Sequence, residues 1–402
     1  MSRFLPYGRQ SVDQVDIDSV VKALQSDYLT TGPIVAEFES ALASQLGAAY
    51  AVVCSSATAA LHLAALAAGL GPKKGAVVPS ITFVASANAV RFVDAPVYFS
   101  DVGEHDGLMS VETMRSAIAS ADGDVGAVVP VHLNGQCADM EEIHRLAREE
   151  GMVVIEDASH AIGSSYCNQA GVSSAVGSCF YSDMCVFSFH AIKNIAMAEG
   201  GAVTTNDGKF YRKLMEFRNH GIVRDEGRFC LPELAFSSNG ELNPWYYEMQ
   251  SLGFNYRSND VQCALGLSQL SKLDKFSKRR RKLVARYDRN LQSLGSRVQP
   301  IARVDRGAVC WHLYPILIDF TKLEISRAWL MNSLAENGIG TQVHYMPVHQ
   351  QPYYQNLIGG DVELAGCVKY YQRVLSLPLY YDLLETDVDQ ISDTLTQLLN
   401  LA

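Results

Sequence analysis

Between about residues 48 and 205 the chain repeats one rhythm, in which short β-branched apolar runs alternate with stretches of helical period. The runs read AAYAVVCSS, GAVVPS, APVYFS, GAVVPVH, MVVIED, CVFSFH and GAVTTN. Strands that are apolar along their whole length are buried on both faces, and intervening helices let successive strands pair in parallel. The rhythm therefore predicts an α/β fold with a largely parallel sheet covered by helices on both faces. Helices are expected over 58–70, 111–120 and 140–150, the first opening directly after a strand at Ser55 and Ser56. In open α/β sheets ligands bind beyond the carboxyl ends of the strands, so the residues just past each run are the ones to inspect.

After a long helix beginning near Ser271 the pattern changes to strand (310–318), helix (326–337), strand (338–345) and then helices to the end. This predicts a smaller α+β domain over 271–402 behind a large domain over 1–270, in keeping with a length of 402 residues. Residues 222–250 are polar, glycine-containing and aperiodic, a loop of the length usually reserved for function. The formal net charge of −10 repels a phosphate backbone, which argues against nucleic acid as a partner. Lys278, Arg279, Arg280, Arg281 and Lys282 form a basic run on the long helix and read as a solvated face. The nine cysteines are odd in number and contain no C-x-x-C pair, so neither a zinc site nor a redox motif is indicated. They read as small buried hydrophobes in a reducing compartment. The opening MSRFLPYGRQSVD has no apolar core of a signal peptide, and no run reaches 18 apolar residues, so a cytoplasmic protein without a membrane span is expected.

Three strand ends point to one kind of ligand. In VCSSATAALHLAAL, Ala57 and Thr58 stand where a strand becomes a helix, and backbone amides there can hold a phosphate against the positive helix end. Ser and Thr at this position are also ordinary helix caps. In IEDASHAIG, Asp157 and His160 lie just past an apolar strand. A carboxylate there can pair with a protonated pyridine nitrogen, although it can also cap a helix, and a lone histidine is as often a satisfied core residue. In VFSFHAIKNIAMAEGGAV, Lys193 follows a strand amid apolar residues, with Ser188 five residues earlier. A lysine stripped of water loses stability as ammonium, and its amine becomes available to attack an aldehyde.

These segments, together with G-F-N-Y-R from Gly253, resemble the DegT/DnrJ/EryC1/StrS sugar aminotransferases of fold type I, which depend on pyridoxal 5′-phosphate (PLP). The likeness runs from SVDQVDIDSVVKALQSDYLTTGP to SLPLYYDLLETDVDQI. The family fold implies a mostly parallel seven-stranded sheet. Within the family, SFHAIK, IEDASHAIG, ALGLSQLSKLDKF, WHLYPI and QVHYMPV are similar to the transaminases of pseudaminic acid biosynthesis. Those enzymes aminate UDP-2-acetamido-2,6-dideoxy-β-L-arabino-hexos-4-ulose at C4 with L-glutamate as donor.

Carried over residue by residue, the resemblance implies that Lys193 bears PLP as a Schiff base, Asp157 pairs with the pyridine nitrogen and His160 sits at the ring. It places Phe83 on the opposite face, and Ala57, Thr58 and Ser188 on the phosphate, joined by Asn255 from the second subunit of a homodimer. Substrate contacts would come from Tyr7, Asp27, Tyr28, Leu29, Thr30, Gln342, Val343, His344 and Tyr345, with Arg257 toward the nucleotide-sugar phosphates. No metal is implied. Many family members carry glutamine where this chain has His160, but the pseudaminic acid branch shares the histidine. Asn194, Ala196 and Met197 stand where the family pattern has a proline and paired threonines. The rival readings are an aminotransferase for another UDP- or dTDP-4-keto-6-deoxy sugar, a PLP-dependent sugar dehydratase and a non-catalytic homologue. The resembling dehydratases replace the lysine by histidine, so Lys193 argues against that reading. An NAD-dependent oxidoreductase is disfavoured because no G-x-G-x-x-G follows a predicted strand.

Overall fold

The structure is a computed structural model that describes residues 4–168, 170–360 and 362–401. Each of the seven apolar runs forms a strand: β1 (Tyr50–Cys54), β2 (Lys74–Pro79), β3 (Val97–Ser100), β4 (Asp124–Val128), β5 (Val153–Asp157), β6 (Met184–Ser188) and β7 (Gly201–Thr205). They make one sheet in the order β1-β7-β6-β5-β4-β2-β3. Of the seven, β7 alone runs antiparallel to its neighbours, β1 and β6. The remaining pairs are parallel, so six strands end on the same edge.

Side chains alternate across a strand, and the core divides accordingly. Val52, Val78, Ile155 and Val186 face one apolar cluster, whereas Val53, Val77, Val154, Cys185 and Phe187 face the other. Helices cover both faces. They include α1 (Gln14–Leu24), α2 (Pro33–Leu46), α3 (Ala57–Ala67), α4 (Ala85–Arg91), α5 (Val111–Ala119), α6 (Met140–Glu149), α7 (Gly208–Arg218) and α8 (Asp260–Leu270).

Helix α9 (Leu273–Asn290) leads to a second sheet of β8 (Val298–Pro300), β9 (Tyr314–Ile318) and β10 (Val374–Leu377), with β9 in the middle. Helix α10 (Arg327–Glu336) precedes β10, and α11 (Ala365–Arg373) and α12 (Glu385–Leu401) flank it. Three expectations change here. The strand expected over 310–318 begins only at Tyr314, because the preceding residues bond elsewhere: Cys310 N–H donates to Ser164 Oγ and His312 N–H to the Asn134 carbonyl. The expected strand over 338–345 does not form. Ile339 bridges Leu5 and Gln342 bridges Ser376, so the backbone turns between two different neighbours and no ladder can grow. Strand β10 was not expected, since VLSL follows α11 without a breaker residue.

The basic run is not a uniformly solvated face. Arg279 and Lys282 pair with Glu385 on α12, and Lys278 pairs with Asp274. Arg280 is buried and donates to the carbonyls of Trp311, His312 and Leu379, which pins α9 to the segment entering β9. The segment 222–250 pairs its ends, Ile222–Val223 with Glu248–Met249, and carries one helical turn at Pro232–Ala235. Contrary to its polar reading, it exposes Leu234, Trp245, Tyr247 and Met249. Among the described residues no helix is long and apolar enough to cross a membrane.

Candidate active site

A cavity of about 600 Å3 opens beyond the carboxyl ends of the parallel strands. It brings together Tyr7, Ala57, Thr58, Phe83, Asp157, His160, Ser188, Lys193, Gln342, Val343, His344 and Tyr345. Twelve of the expected site residues, distant in sequence, thus line one space. Asp157 and Ser188 share it because each extends the strand face that also carries Ile155 and Val186.

At the end of β1 the cap of α3 is Ser56, whose Oγ accepts the Ala59 N–H at 3.1 Å. The capping role therefore falls to Ser56, which leaves the amides of Ala57 and Thr58 and the Thr58 hydroxyl for a ligand. Gly201 makes this possible from β7. A Cβ at Gly201 would lie 2.4 Å from the Ser56 carbonyl and 2.5 Å from the Ala57 nitrogen, so only glycine lets the two backbones approach so closely.

Asp157 is not a helix cap either. Its Oδ1 accepts the Ser159 N–H at 3.1 Å, and its Oδ2 accepts the Ser86 hydroxyl at 2.6 Å. Ser86 has one hydroxyl hydrogen and gives it to Asp157, so Thr82 Oγ1, 2.8 Å away, donates to Ser86. His160 Nδ1 accepts the Asn134 N–H at 3.3 Å, and its Nε2 lies 3.2 Å from the Tyr345 hydroxyl. With Nδ1 accepting, the neutral ring carries its hydrogen on Nε2 and donates to Tyr345. Burial, with Lys193 and His344 adding to it, holds the His160 pKa well below the usual histidine value.

Lys193 lines the cavity together with Thr58 of α3 and with His160, His312 and His344. Burial lowers its pKa from 10.5 to about 8, partly opposed by Asp157. That shift leaves a far larger share of free amine near neutrality than an exposed lysine has. His344 is pushed down to about 3 by burial and by Lys193, and so is neutral beside the amine. After Lys193, Asn194 Nδ2 donates to the Cys310 carbonyl at 3.1 Å, and the Ala196 N–H reaches Gln269 Oε1 at 3.3 Å. These bonds tie the lysine loop to α8 and to the segment before β9.

Six expected residues lie elsewhere. Leu29, Thr30, Asn255 and Arg257 line a second, open concavity with Asn259, Val261 and Gln262. Asp27 and Tyr28 line neither space and are exposed. The Arg257 guanidinium donates to Asn219 Oδ1 at 2.5 Å. The cavity also recruits residues that sequence reasoning did not single out. Ser86 bonds Asp157 across 71 positions, a relationship no spacing could signal. His312, inside the quoted WHLYPI segment, packs its ring 4.6 Å from that of His160. His190 and Glu199 stand at the rim, 3.8 Å apart. No group of three or more potential metal ligands occurs among the described residues.

The site has an aldehyde-ready amine, a carboxylate free to meet a protonated ring nitrogen and a helix end suited to phosphate, which is the donor set PLP requires. The sequence matches the DegT/DnrJ/EryC1/StrS aminotransferase family over residues 10–396. It is 36% identical over 392 residues to a spore coat polysaccharide biosynthesis protein of Bacillus subtilis (strain 168), covering 97% of this chain and 96% of that protein. It is also 36% identical over 395 residues to the UDP-4-amino-4,6-dideoxy-N-acetyl-β-L-altrosamine transaminase of Campylobacter jejuni subsp. jejuni serotype O:23/36 (strain 81-176), covering 98% and 97%. Among solved structures it resembles a Helicobacter pylori aminotransferase of pseudaminic acid biosynthesis, with a TM-score of 0.87, 29% identity and full coverage of both chains. It also resembles the PLP form of a Streptococcus pneumoniae protein named as a sugar aminotransferase, with a TM-score of 0.86, 26% identity and 99% coverage of both chains.

Proposed function

Because this chain belongs to the DegT/DnrJ/EryC1/StrS aminotransferase family, we propose that it moves the amino group of L-glutamate to C4 of UDP-2-acetamido-2,6-dideoxy-β-L-arabino-hexos-4-ulose, giving UDP-4-amino-4,6-dideoxy-N-acetyl-β-L-altrosamine. It is a PLP-dependent sugar aminotransferase. The observation that carries the reading is the convergence of the Lys193 amine, the Asp157 carboxylate and the α3 amino terminus on one cavity. When bound, PLP supplies a carbonyl to be exchanged and an electron-accepting ring. Asp157 would keep the ring nitrogen protonated, and Phe83 and His160, which line the same cavity, would contact the ring. Ala57, Thr58 and Ser188 take the phosphate. Lys193 would hold the cofactor and would be the group that carries the proton between the substrate carbon and the cofactor's C4′.

The choice of sugar is supported by the named Campylobacter and Helicobacter relatives. The second reading is amination of another UDP- or dTDP-linked 4-keto-6-deoxy sugar, and a relative named for spore coat polysaccharide biosynthesis is equally similar at 36% identity. Tyr7, Gln342, Val343, His344 and Tyr345 line the cavity and would contact the sugar. Asn255 lies in the separate concavity, and we place it on the cofactor phosphate of a second copy, with Asp27, Tyr28, Leu29, Thr30 and Arg257 near it toward that copy's substrate. The exposed Trp245 and Leu252, 73% and 77% accessible, support a homodimer by offering apolar surface to cover. Seven of the nine free cysteines are buried, which suits a cytoplasmic enzyme. Incubation with glutamate and a panel of UDP- and dTDP-4-keto-6-deoxy sugars, followed by product analysis, tests the assignment. Preferred amination of the L-arabino UDP-sugar is expected. Preference for another sugar selects the second reading, and turnover that persists in Lys193→Ala would overturn both.

A further inference from the structure

One strand position before Asp157, on the opposite face of β5, the side chain of Glu156 is fully buried, and among the described residues it forms no ion pair with a lysine or arginine. Its Oε2 accepts from His132 Nε2 at 2.7 Å and from the Tyr166 hydroxyl, and its Oε1 accepts from the Ser182 hydroxyl. His132 Nδ1 accepts the Ala138 N–H at 3.2 Å, so His132 carries its hydrogen on Nε2 and donates it to Glu156. Three neutral donors therefore hold one buried carboxylate. Nothing in the transamination chemistry calls for it, and burying such a group is costly unless its bonds do something.

The backbone of His132 shows what they do. His132 N–H donates to the Asp157 carbonyl at 3.1 Å, and Asp157 N–H donates to the Pro130 carbonyl at 2.9 Å. Two residues past His132, Asn134 adopts a left-handed conformation, with φ of 63°, and offers its N–H to His160 Nδ1. The same segment thus fixes the backbone of Asp157 and the tautomer of His160. We propose that Glu156 is the positioning residue of the cofactor site. Through His132 it locks the 130–134 segment, and through that segment it aims the Asp157 carboxylate at the ring nitrogen.

This inference rests on the PLP reading, and the test separates the two. Apo-protein of the full chain is titrated with PLP and with an analogue in which carbon replaces the ring nitrogen, followed by protein fluorescence. Tight binding of PLP by the wild type checks the reading itself. Glu156→Gln should weaken PLP about tenfold, the loss of a buried hydrogen-bond arrangement, while the analogue changes by less than about twofold. In the Asp157→Asn background, Glu156→Gln should add no further loss. Equal weakening for both ligands, no weakening for either, or a full additional loss on top of Asp157→Asn overturns the proposal. Should Glu156→Gln not fold, Tyr166→Phe removes one donor and leaves the carboxylate. It should weaken PLP about threefold with the analogue unchanged, and equal effects on the two ligands would again overturn the proposal.

Discussion

The Ser86 hydroxyl donates to Asp157 Oδ2 at 2.6 Å, and Thr82 in turn donates to Ser86. A neutral donor orients the carboxylate without neutralising it, so the charge stays available to the ring nitrogen. Asp157→Asn should keep the fold and lose roughly a hundredfold in kcat/KM, about 3 kcal/mol of barrier. Ser86→Ala keeps the charge and should lose no more than about tenfold, the worth of one hydrogen bond. Steady-state kinetics beside circular dichroism decides. An asparagine variant within twofold of wild type would reduce Asp157 to a structural residue.

Burial disfavours the Lys193 ammonium and pushes its pKa down from 10.5 to about 8. The folded protein prefers the neutral amine, so the free-amine fraction grows about tenfold per pH unit well below 8, more slowly near it, and levels above it. A small neutral aldehyde, trapped on apo-protein by borohydride and located by mass spectrometry, should label Lys193 with that profile. A rate still climbing steeply above pH 9 would show that the lysine is solvated like an ordinary surface residue.

A methyl group at Gly201 would collide with the backbone of Ser56 and Ala57, neither of which can rotate away. Gly201→Ala should therefore push the amino end of α3 off the sheet, costing about 1–3 kcal/mol of stability by overpacking. The displaced amides are those assigned to the phosphate, so PLP affinity of the apo-protein should fall along with the melting temperature. Unchanged affinity would remove α3 from the cofactor site.

Asn255 lines a concavity apart from Lys193, and the dimer reading puts it in the other subunit's site. Inactive Lys193→Ala subunits mixed with Asn255→Ala subunits form hybrids in which one site carries both lesions and the other neither. Activity should rise above that of either parent. If Asn255→Ala is impaired and verified subunit exchange restores nothing, the asparagine serves its own chain.

The sequence alone determined the sheet, because strands buried on both faces must be apolar throughout and helices must separate parallel neighbours: all seven runs became strands. It also marked Lys193, Asp157 and the start of α3, because strand ends in such sheets are legible as positions and those side chains carry unusual chemistry for apolar surroundings. Tertiary structure decided the rest. The bond from Ser86 to Asp157 and the tilted packing of His312 against His160 join residues whose separation follows no helical or strand period. The fate of 338–345 depended on Leu5 and Ser376, each pairing with one residue and denying the segment a continuous ladder. Strand β10 needed the waiting edge of β9, since a four-residue run directly after a helix acquires its hydrogen bonds from a neighbour and has no signal of its own. Local pattern reports what a segment must bury, whereas only packing specifies which distant group receives it.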